Sequence, residues 1–258
     1  MSKLVFITGA SSGIGQALAW RFHQAGYKLA LVARRPLEIK NGLSPRGISE
    51  DSYQIYSADV SNIDSIAAAG HACLAAQGLP DVVIAAAGIS VGVDTADRGD
   101  LDVMAQTFAT NNVGTAATFH PFVGLMSARG SGTLVGIGSV NGIRGFAGHG
   151  ANCPSKAALI NYCECLRVEL RQTGVKVVTI CPGYVATPLT SHNQYAMPFL
   201  MRPEVFADQA FKTIEAQISY RVIPWQMGVV AKALRLLPNW AFDKAFSGRP
   251  RKPRRPNV

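Results

Sequence analysis

Residues 8–15 read TGASSGIG, after a short apolar run at 4–8 and before an amphipathic segment at about 16–25. This order predicts a β-strand, a glycine-rich turn and an α-helix. Glycines in the turn let the backbone approach a pyrophosphate, and the start of the helix directs its amide hydrogens and positive dipole end at that charge. We therefore expect a dinucleotide-binding turn. Its predicted contacts are Gly9, Ser11, Ser12, Gly13, Ile14 and Gly15.

The rest of the chain continues the alternation of strand and helix. Further strands are predicted at about 28–32, 53–57, 81–85, 133–137, 175–181 and 221–223, and helices at about 63–76, 100–126, 152–172 and 203–218. The alternation favours an α/β fold: a doubly wound parallel sheet (Rossmann-type) of about seven strands, with helices on both faces and the ligand at the carboxyl edge. With 258 residues, 48% of them hydrophobic, the chain can bury a sizeable core, and we expect a single domain at 1–248.

The end of the second strand indicates which dinucleotide is bound. Ala33 is followed there by Arg34 and Arg35, where NAD-binding proteins of this fold place a carboxylate for the ribose hydroxyls. A small residue leaves room for a 2′-phosphate, and a guanidinium can bind that phosphate through paired hydrogen bonds. The predicted cofactor is NADP (NADPH). The alternative is that both arginines simply lie on a solvated loop.

Six short motifs occur in the order of one protein family. They are TGxxxGxG at 8–15, DV at 59–60, AAAG at 85–88, NNVG at 111–114, the pair Ser139 and Lys156, and PGYVATP at 182–188. Together they resemble the short-chain dehydrogenase/reductase family over about residues 3–223. The resemblance implies an oxidoreductase that interconverts a carbonyl and an alcohol by hydride transfer. It also implies cofactor contacts at Asp59, Val60, Ala87, Gly88, Lys156, Pro182, Gly183, Val185 and Thr187. One departure is Ala86, where the family usually has an asparagine that ties neighbouring strands together.

The resemblance assigns Ser139, Lys156 and Asn111 to the catalytic centre, together with position 152. The family has a tyrosine at that position, which gives its proton to the carbonyl oxygen, but this chain has Asn152. Lys156 would lower the pKa of that tyrosine and bind the nicotinamide ribose, while Ser139 would bind the substrate oxygen. Asn111 would hold a water in the proton relay, with Asn112 as the alternative. A carboxamide can donate a hydrogen bond to the oxygen, but it cannot complete proton transfer at neutral pH.

Three explanations of Asn152 are open. It is a deliberate substitution, or the chain is naturally an NADP-binding sensor or scaffold protein without redox turnover, or another donor such as His149 or Cys153 has taken over. The retained Ser139, Lys156 and Asn111 favour an active parent, because a lysine matched to a missing tyrosine has little other purpose. The leading prediction is an NADP-dependent enzyme whose proton transfer is impaired, so that this version is inactive or strongly weakened.

Residues 188–203 are rich in Met, Phe and Tyr and lie where the family has a mobile substrate lid. The side chains of Met197, Phe199, Leu200 and Met201 favour a small apolar carbonyl or alcohol substrate. Arg202 leaves acids open as an alternative.

The formal charge of +9 is concentrated in residues 249–258, which carry five basic residues and are broken by proline. No aromatic residue is interleaved with these charges, so a disordered basic tail is favoured over a nucleic-acid site.

The apolar segment 222–246 with Trp225 and Trp240 favours subunit packing, as a homodimer or homotetramer, over peripheral membrane contact. The odd number of cysteines without CxxC spacing supports neither disulfides nor a metal site. The first predicted strand begins almost at the first residue, with no signal peptide expected before it, and this predicts a cytoplasmic protein.

Overall fold

The computed structural model describes residues 2–191, 193, 196–248 and 250–254. Its strands are β1 (Leu4–Thr8), β2 (Lys28–Ala33), β3 (Tyr53–Ser57), β4 (Val82–Ala85), β5 (Thr133–Ile137), β6 (Lys176–Pro182) and β7 (Tyr220–Ile223). Its α-helices are α1 (Gly13–Gln24), α2 (Pro36–Leu43), α3 (Ile63–Ala76), α4 (Arg98–Phe108), α5 (Gly114–Arg129), α6 (Asn152–Glu169), α7 (Pro203–Glu215), α8 (Trp225–Leu236) and α9 (Asn239–Phe246).

The seven strands form one parallel sheet in the order β3-β2-β1-β4-β5-β6-β7. The chain builds outward from β1 to β3 and then returns to place β4 on the other side of β1. The connections after β1 and β4 therefore leave the sheet towards opposite faces, which opens a crevice at their carboxyl ends. This arrangement confirms the predicted doubly wound α/β fold.

Helices cover both faces of the sheet, because successive strand side chains point to opposite sides. Val5 and Ile7 of β1 join one apolar cluster with residues of α1, α2 and α7, whereas Leu4 and Phe6 join a second with residues of α3, α5 and α6. Both clusters are fully buried, which explains why the central strands are almost continuously apolar in sequence.

Two helix boundaries differ from the sequence predictions. Helix α1 begins at Gly13 rather than near residue 16, so its first turn lies inside the glycine-rich stretch. The single helix predicted at 100–126 is divided into α4 and α5 by a π-helical turn, Ala109–Val113. Turns of this kind are common at functional sites, and this one contains Asn111.

Residues 250–254 pack against the protein, whereas the sequence analysis expected a disordered tail at 249–258. Lys252 is buried, Arg251 Nη1 lies 3.2 Å from Asp94 Oδ2, and Arg254 Nε lies 2.7 Å from Asp100 Oδ2. The acidic residues around the start of α4 attract this basic segment, a pairing that composition does not reveal. We call residues 250–254 the C-terminal strap. Arg249 and residues 255–258 lie outside the described residues.

Helices α8 and α9 expose apolar side chains, notably Trp225 (67% exposed), Leu236 (84%) and Trp240 (74%). The apolar surface expected from segment 222–246 is thus present. Whether it contacts another subunit or a membrane stays a prediction. Within the described part of the chain, no helix is both long and apolar enough to cross a membrane.

Candidate active site

A cavity of about 280 Å³ lies in the crevice between the carboxyl ends of β1 and β4. Its floor is the turn after β1, where glycines are required. A Cβ on Gly9, which has φ +70°, would lie 2.8 Å from the Ala87 backbone, and a Cβ on Gly15 would lie 2.2 Å from the Gly9 carbonyl oxygen. The Ser12 side chain does not cap the amide groups at the start of α1. These amides and the helix dipole suit an anion such as a pyrophosphate.

Most of the predicted cofactor contacts line this cavity. They are Gly9, Ser11, Ser12, Gly13, Ile14, Gly15, Arg34, Arg35, Asp59, Val60, Ala87, Gly88 and Thr187. Thr187 faces the turn closely, since a Cβ on Gly13 would lie 3.2 Å from its side chain. The cavity, with its glycine floor and its lining by the ends of β1, β2 and β4, therefore suits a dinucleotide. The identity of each contact stays a prediction.

Two arginines flank the far end of the cavity. Arg34 Nη1 lies 3.8 Å from Asp59 Oδ2, and Arg35 Nε lies 3.0 Å from Glu38 Oε1. Burial opposes ionisation of Asp59, but hydrogen bonds from Ser61 and the charge of Arg34 hold its pKa below the usual value. Because all four charged side chains are well exposed, the two ion pairs are weak and can rearrange around a bound phosphate.

A second cavity of about 130 Å³ adjoins the first and shares Ile14, Gly88 and Thr187 with it. Ser139, Asn152 and Lys156 all line this pocket. The structure thus brings together three of the four predicted catalytic residues. The remaining predicted cofactor contacts, Pro182, Gly183 and Val185, line the same pocket.

Lys156 is held in a fixed position at the floor of the pocket. Its Nζ donates a hydrogen bond to the Ile137 carbonyl oxygen at 2.9 Å. Burial lowers its pKa to about 8, against the opposing influence of Cys181 and Cys163. The side chain therefore still carries its charge at neutral pH.

Asn111 does not line the pocket but supports it from behind. Its Oδ1 accepts from the Ile89 amide at 2.9 Å, and its Nδ2 donates to the Ile89 carbonyl at 3.0 Å and to Ser155 Oγ at 2.9 Å. The Ser155 hydroxyl donates to the Asn152 carbonyl at 2.9 Å. The π-helical turn thus joins the loop after β4 to the first turn of α6. The sequence analysis missed Ser155, which belongs to none of the motifs.

Asn152 is the first residue of α6, and Lys156 lies one turn further on. Its side chain is buried, faces the pocket and makes no protein hydrogen bond within the described residues. Ser139 Oγ accepts a hydrogen bond from the Asn141 amide at 3.1 Å, which leaves the hydroxyl proton available to a ligand. The pocket therefore offers two hydrogen-bond donors, the Ser139 hydroxyl and the Asn152 amide, to a ligand.

The two replacement proton donors considered from sequence lie elsewhere. His149 and Cys153 line a separate cavity on the far side of residues 141–146. Burial, with a contribution from the Lys252 charge, lowers the pKa of His149 to about 4, and burial raises the pKa of Cys153 to about 11. His149 is thus uncharged at neutral pH, and neither residue lines the pocket of Ser139.

Comparison with known proteins identifies the family. The family model described as short chain dehydrogenase matches residues 3–197. The chain belongs to the short-chain dehydrogenase family. This short-chain dehydrogenase is 35% identical over 249 residues to an uncharacterized oxidoreductase from Myxococcus xanthus, covering 94% of this chain and 96% of the relative. It is 29% identical over 237 residues to an acetoacetyl-CoA reductase from an Acinetobacter strain, covering 91% and 90%.

A solved 3-ketoacyl-(acyl-carrier-protein) reductase from Brucella melitensis, complexed with NADH, has a similar fold. The TM-score is 0.77 at 22% sequence identity, over 86% of this chain and 96% of that chain. The predicted family and fold are thus confirmed, as is the assignment of the chain to a family of oxidoreductases.

Backbone near Ala86, the residue that replaces the usual asparagine, is hydrogen-bonded to Thr8. The Thr8 hydroxyl at the end of β1 accepts a hydrogen bond from the Ala86 amide at 3.2 Å and donates to the Ile84 carbonyl at 3.4 Å. This side chain ties β1 to the end of β4. The sequence analysis treated Thr8 only as the start of the glycine motif and missed its hydrogen bonds to β4.

The segment predicted as a lid in this short-chain dehydrogenase is fixed at both ends. Val185 and Met201 form an isolated parallel bridge, and the Met201 amide donates to the Tyr184 carbonyl at 2.9 Å. Met201 packs against the core, while Phe199 and Leu200 are about half exposed. None of these three lines a pocket described above, which differs from the sequence interpretation. Within the lid, His192, Gln194 and Tyr195 lie outside the described residues.

Other lid residues form an apolar cavity of about 320 Å³. Ala196 and Pro198 line it on one side and Met227 and Leu234 of α8 on the other. Tyr184, with Val140 and Asn141, lines both this cavity and the pocket of Ser139. The apolar cavity therefore continues the pocket away from the dinucleotide cavity.

Proposed function

We propose that this chain is an NADP-dependent oxidoreductase that interconverts a small carbonyl compound and its alcohol, with proton transfer impaired by Asn152. The observation that carries the proposal is the meeting of Ser139, Lys156 and Asn152 in one pocket that adjoins the glycine-floored cavity. Ser139, Lys156 and Asn111 match the residues that the family resemblance assigns to the catalytic centre. Position 152 differs, since Asn152 stands where the family has an ionisable tyrosine.

A bound nicotinamide would supply hydride to a carbonyl carbon or accept it from an alcohol. The protein must then bind the oxygen and provide the proton. The Ser139 hydroxyl and the Asn152 amide can both donate hydrogen bonds to that oxygen, and the Lys156 ammonium adds positive charge. Carbonyl reduction places negative charge on the oxygen, so all three groups favour the transition state.

Asn152 retains this electrostatic role but cannot give up a proton at neutral pH. Because His149 and Cys153 face another cavity, they offer no direct substitute. Loss of a general acid typically costs about 10²- to 10⁴-fold in rate. We therefore expect this chain to bind cofactor and substrate with a residual turnover.

The apolar cavity beyond Tyr184 supports a substrate with an apolar tail. A chain leaving the carbonyl carbon would pass Val140 and lie between the lid and α8. Burial of such a tail favours binding by roughly 0.8 kcal/mol for each methylene group. The substrate is therefore still an apolar carbonyl compound or alcohol, but Ala196 and Pro198 would contact it in place of Phe199 and Leu200.

The second candidate is an NADP-binding sensor or scaffold protein without turnover. It is favoured by the same asparagine, since a protein that only binds the dinucleotide needs no proton donor. Lys156 and Ser139 would then serve cofactor binding alone.

Restoring the tyrosine separates the two candidates. We expect Asn152→Tyr to raise NADPH oxidation with straight-chain ketones at least about 10²-fold over the parent. Asn152→Phe is the matched control, because it supplies the same ring without the hydroxyl; it also lacks the amide donor of Asn152, so its rate should not exceed that of the parent. If Asn152→Tyr binds NADPH yet oxidises none with any ketone, the enzyme proposal is wrong and the sensor is favoured.

A further inference from the structure

The C-terminal strap passes over the mouth of the pocket through a gap between two glycines. A Cβ on Gly92 would lie 2.1 Å from the Lys252 carbonyl oxygen, and one on Gly148 would lie 2.9 Å from the Lys252 amide nitrogen. The Gly92 amide also donates to the Pro253 carbonyl oxygen at 2.9 Å. The strap can lie this close only because neither position has a side chain.

Ion pairs hold the strap on both sides of Lys252. Arg251 pairs with Asp94, and Arg254 pairs with both Asp97 and Asp100. Asp100 is buried and also accepts from the Asp94 amide at 2.6 Å, so the acceptors are themselves ordered. The position of Lys252 is therefore determined by contacts that precede and follow it in sequence.

The Lys252 side chain lines the pocket that also contains Ser139, Asn152 and Lys156. Its Nζ donates to Asn193 Oδ1 at 2.9 Å, and the residue as a whole is only 9% exposed. Within the described residues, no carboxylate lies within ion-pair distance of it. A buried ammonium group with a neutral partner is costly unless an anion completes the site. Burial accordingly lowers the pKa of Lys252 below its usual value.

We propose that Lys252 binds a carboxylate of the substrate, so that the substrate is an oxo acid or hydroxy acid with an apolar tail. The inference rests on the proposed function and narrows its substrate class. Lys252 bounds the pocket together with Asn193, and the apolar cavity opens beyond Tyr184. The pocket thus offers a cation for one part of the substrate and an apolar space for another. Arg202, the cation considered from sequence, is exposed at the start of α7 and does not line this pocket.

The test compares acids with their neutral esters. Protein saturated with NADPH is titrated by calorimetry with 2-oxo-, 4-oxo- and 5-oxo-octanoate and with their methyl esters. We expect at least one acid to bind about tenfold or more tightly than its ester, as a charge-assisted hydrogen bond implies. Lys252→Met should remove that preference without weakening the ester, and Lys252→Arg should keep it. Lys244→Met, an exposed lysine on α9, is the control for net charge and should match the parent.

Equal binding of every acid and its ester by the parent would overturn the inference. So would an acid preference that survives Lys252→Met, or a loss of acid and ester binding together in a Lys252→Met protein whose melting temperature is unchanged. These titrations need no turnover, whereas the proposed function is tested by NADPH oxidation in Asn152→Tyr. A tyrosine variant that reduces neutral ketones while the acids bind no better than esters would keep the function and remove the role of Lys252.

Discussion

We expect the proposed preference for NADP over NAD to depend on Arg34 and to be reversed by two substitutions. Ala33 is the last residue of β2 and is 8% exposed, and Arg34 follows it at the rim of the cavity. We expect Ala33→Asp with Arg34→Ser to favour NADH over NADPH. The aspartate would accept hydrogen bonds from the ribose hydroxyls and repel a 2′-phosphate, while the serine removes the charge that binds this phosphate.

The magnitude follows from the exposure of the present ion pair. Arg34 Nη1 lies 3.8 Å from Asp59 Oδ2, with side chains 62% and 40% exposed, so breaking the pair costs at most about 1 kcal/mol. A charge-assisted hydrogen bond to a phosphate contributes about 1.5 to 3 kcal/mol, or roughly ten- to a hundredfold in affinity. The gain exceeds the loss, so Arg34→Ser alone should weaken NADPH by about tenfold or more and leave NADH nearly unchanged.

Calorimetric titration of NADPH and NADH measures this preference whether or not the chain turns over. Arg35→Ser is the matched control, because Arg35 Nε already lies 3.0 Å from Glu38 Oε1 of α2 and should contribute less to phosphate binding. If the parent binds NADH as tightly as NADPH, or if Arg34→Ser weakens both dinucleotides equally, the reasoning from charge at this position is wrong.

Two further predictions concern the support of the pocket. Burial lowers the pKa of Lys156 to about 8 in the folded protein, whereas an unfolded lysine titrates at about 10.4, so the unfolded state binds more protons at this residue between these values and the contribution of Lys156 to stability rises with pH across that window. The buried thiols of Cys73 and Cys153, whose pKa values are raised by burial, act in the opposite direction but equally in parent and variant. The free energy of unfolding of the parent should therefore increase relative to that of Lys156→Met between about pH 8 and pH 10 by urea titration, and a difference that does not change with pH would contradict the lowered pKa. Ser155→Ala removes an acceptor from Asn111 and a donor from the Asn152 carbonyl, so we expect a loss of about 1 to 3 kcal/mol in the free energy of unfolding. A loss below about 0.5 kcal/mol by urea titration, with Ser191→Ala in the exposed lid as control, would mean that this bridge is unimportant.

The sheet and the dinucleotide cavity could be predicted because their signals are local. Apolar runs with regular spacing identify the strands, and a glycine turn between a strand and a helix has few other uses. The carboxyl ends of parallel strands lie at one edge of the sheet, so Ser139 after β5 and the glycine turn after β1 had to lie at that same edge, however far apart they are in sequence.

Other parts of the site depend on contacts between distant segments. Ser155 looks like an ordinary helical serine until Asn111 is placed opposite it, 44 residues away in sequence. Met201 and Phe199 were assigned to the substrate by composition, but the bridge between 185 and 201 turns one into the core and leaves the other exposed. Composition describes a segment's average polarity, whereas packing decides the direction of each side chain.

The sequence by itself determined the fold, the glycine-rich turn of the dinucleotide cavity and the presence of Asn152 at the position where the family has tyrosine, since each depends on residue types at short, regular spacings. Only the tertiary structure decided that the basic C-terminal residues form a strap and that Lys252 enters the pocket. Charge composition predicts repulsion and solvation for such a segment. The acidic residues that reverse this outcome lie some 150 positions earlier, around the start of α4, and Arg254 reaches Asp97 only because the fold brings them together. Electrostatic attraction depends on distance in space, and these charges are brought close by the folded sheet although they are far apart in sequence.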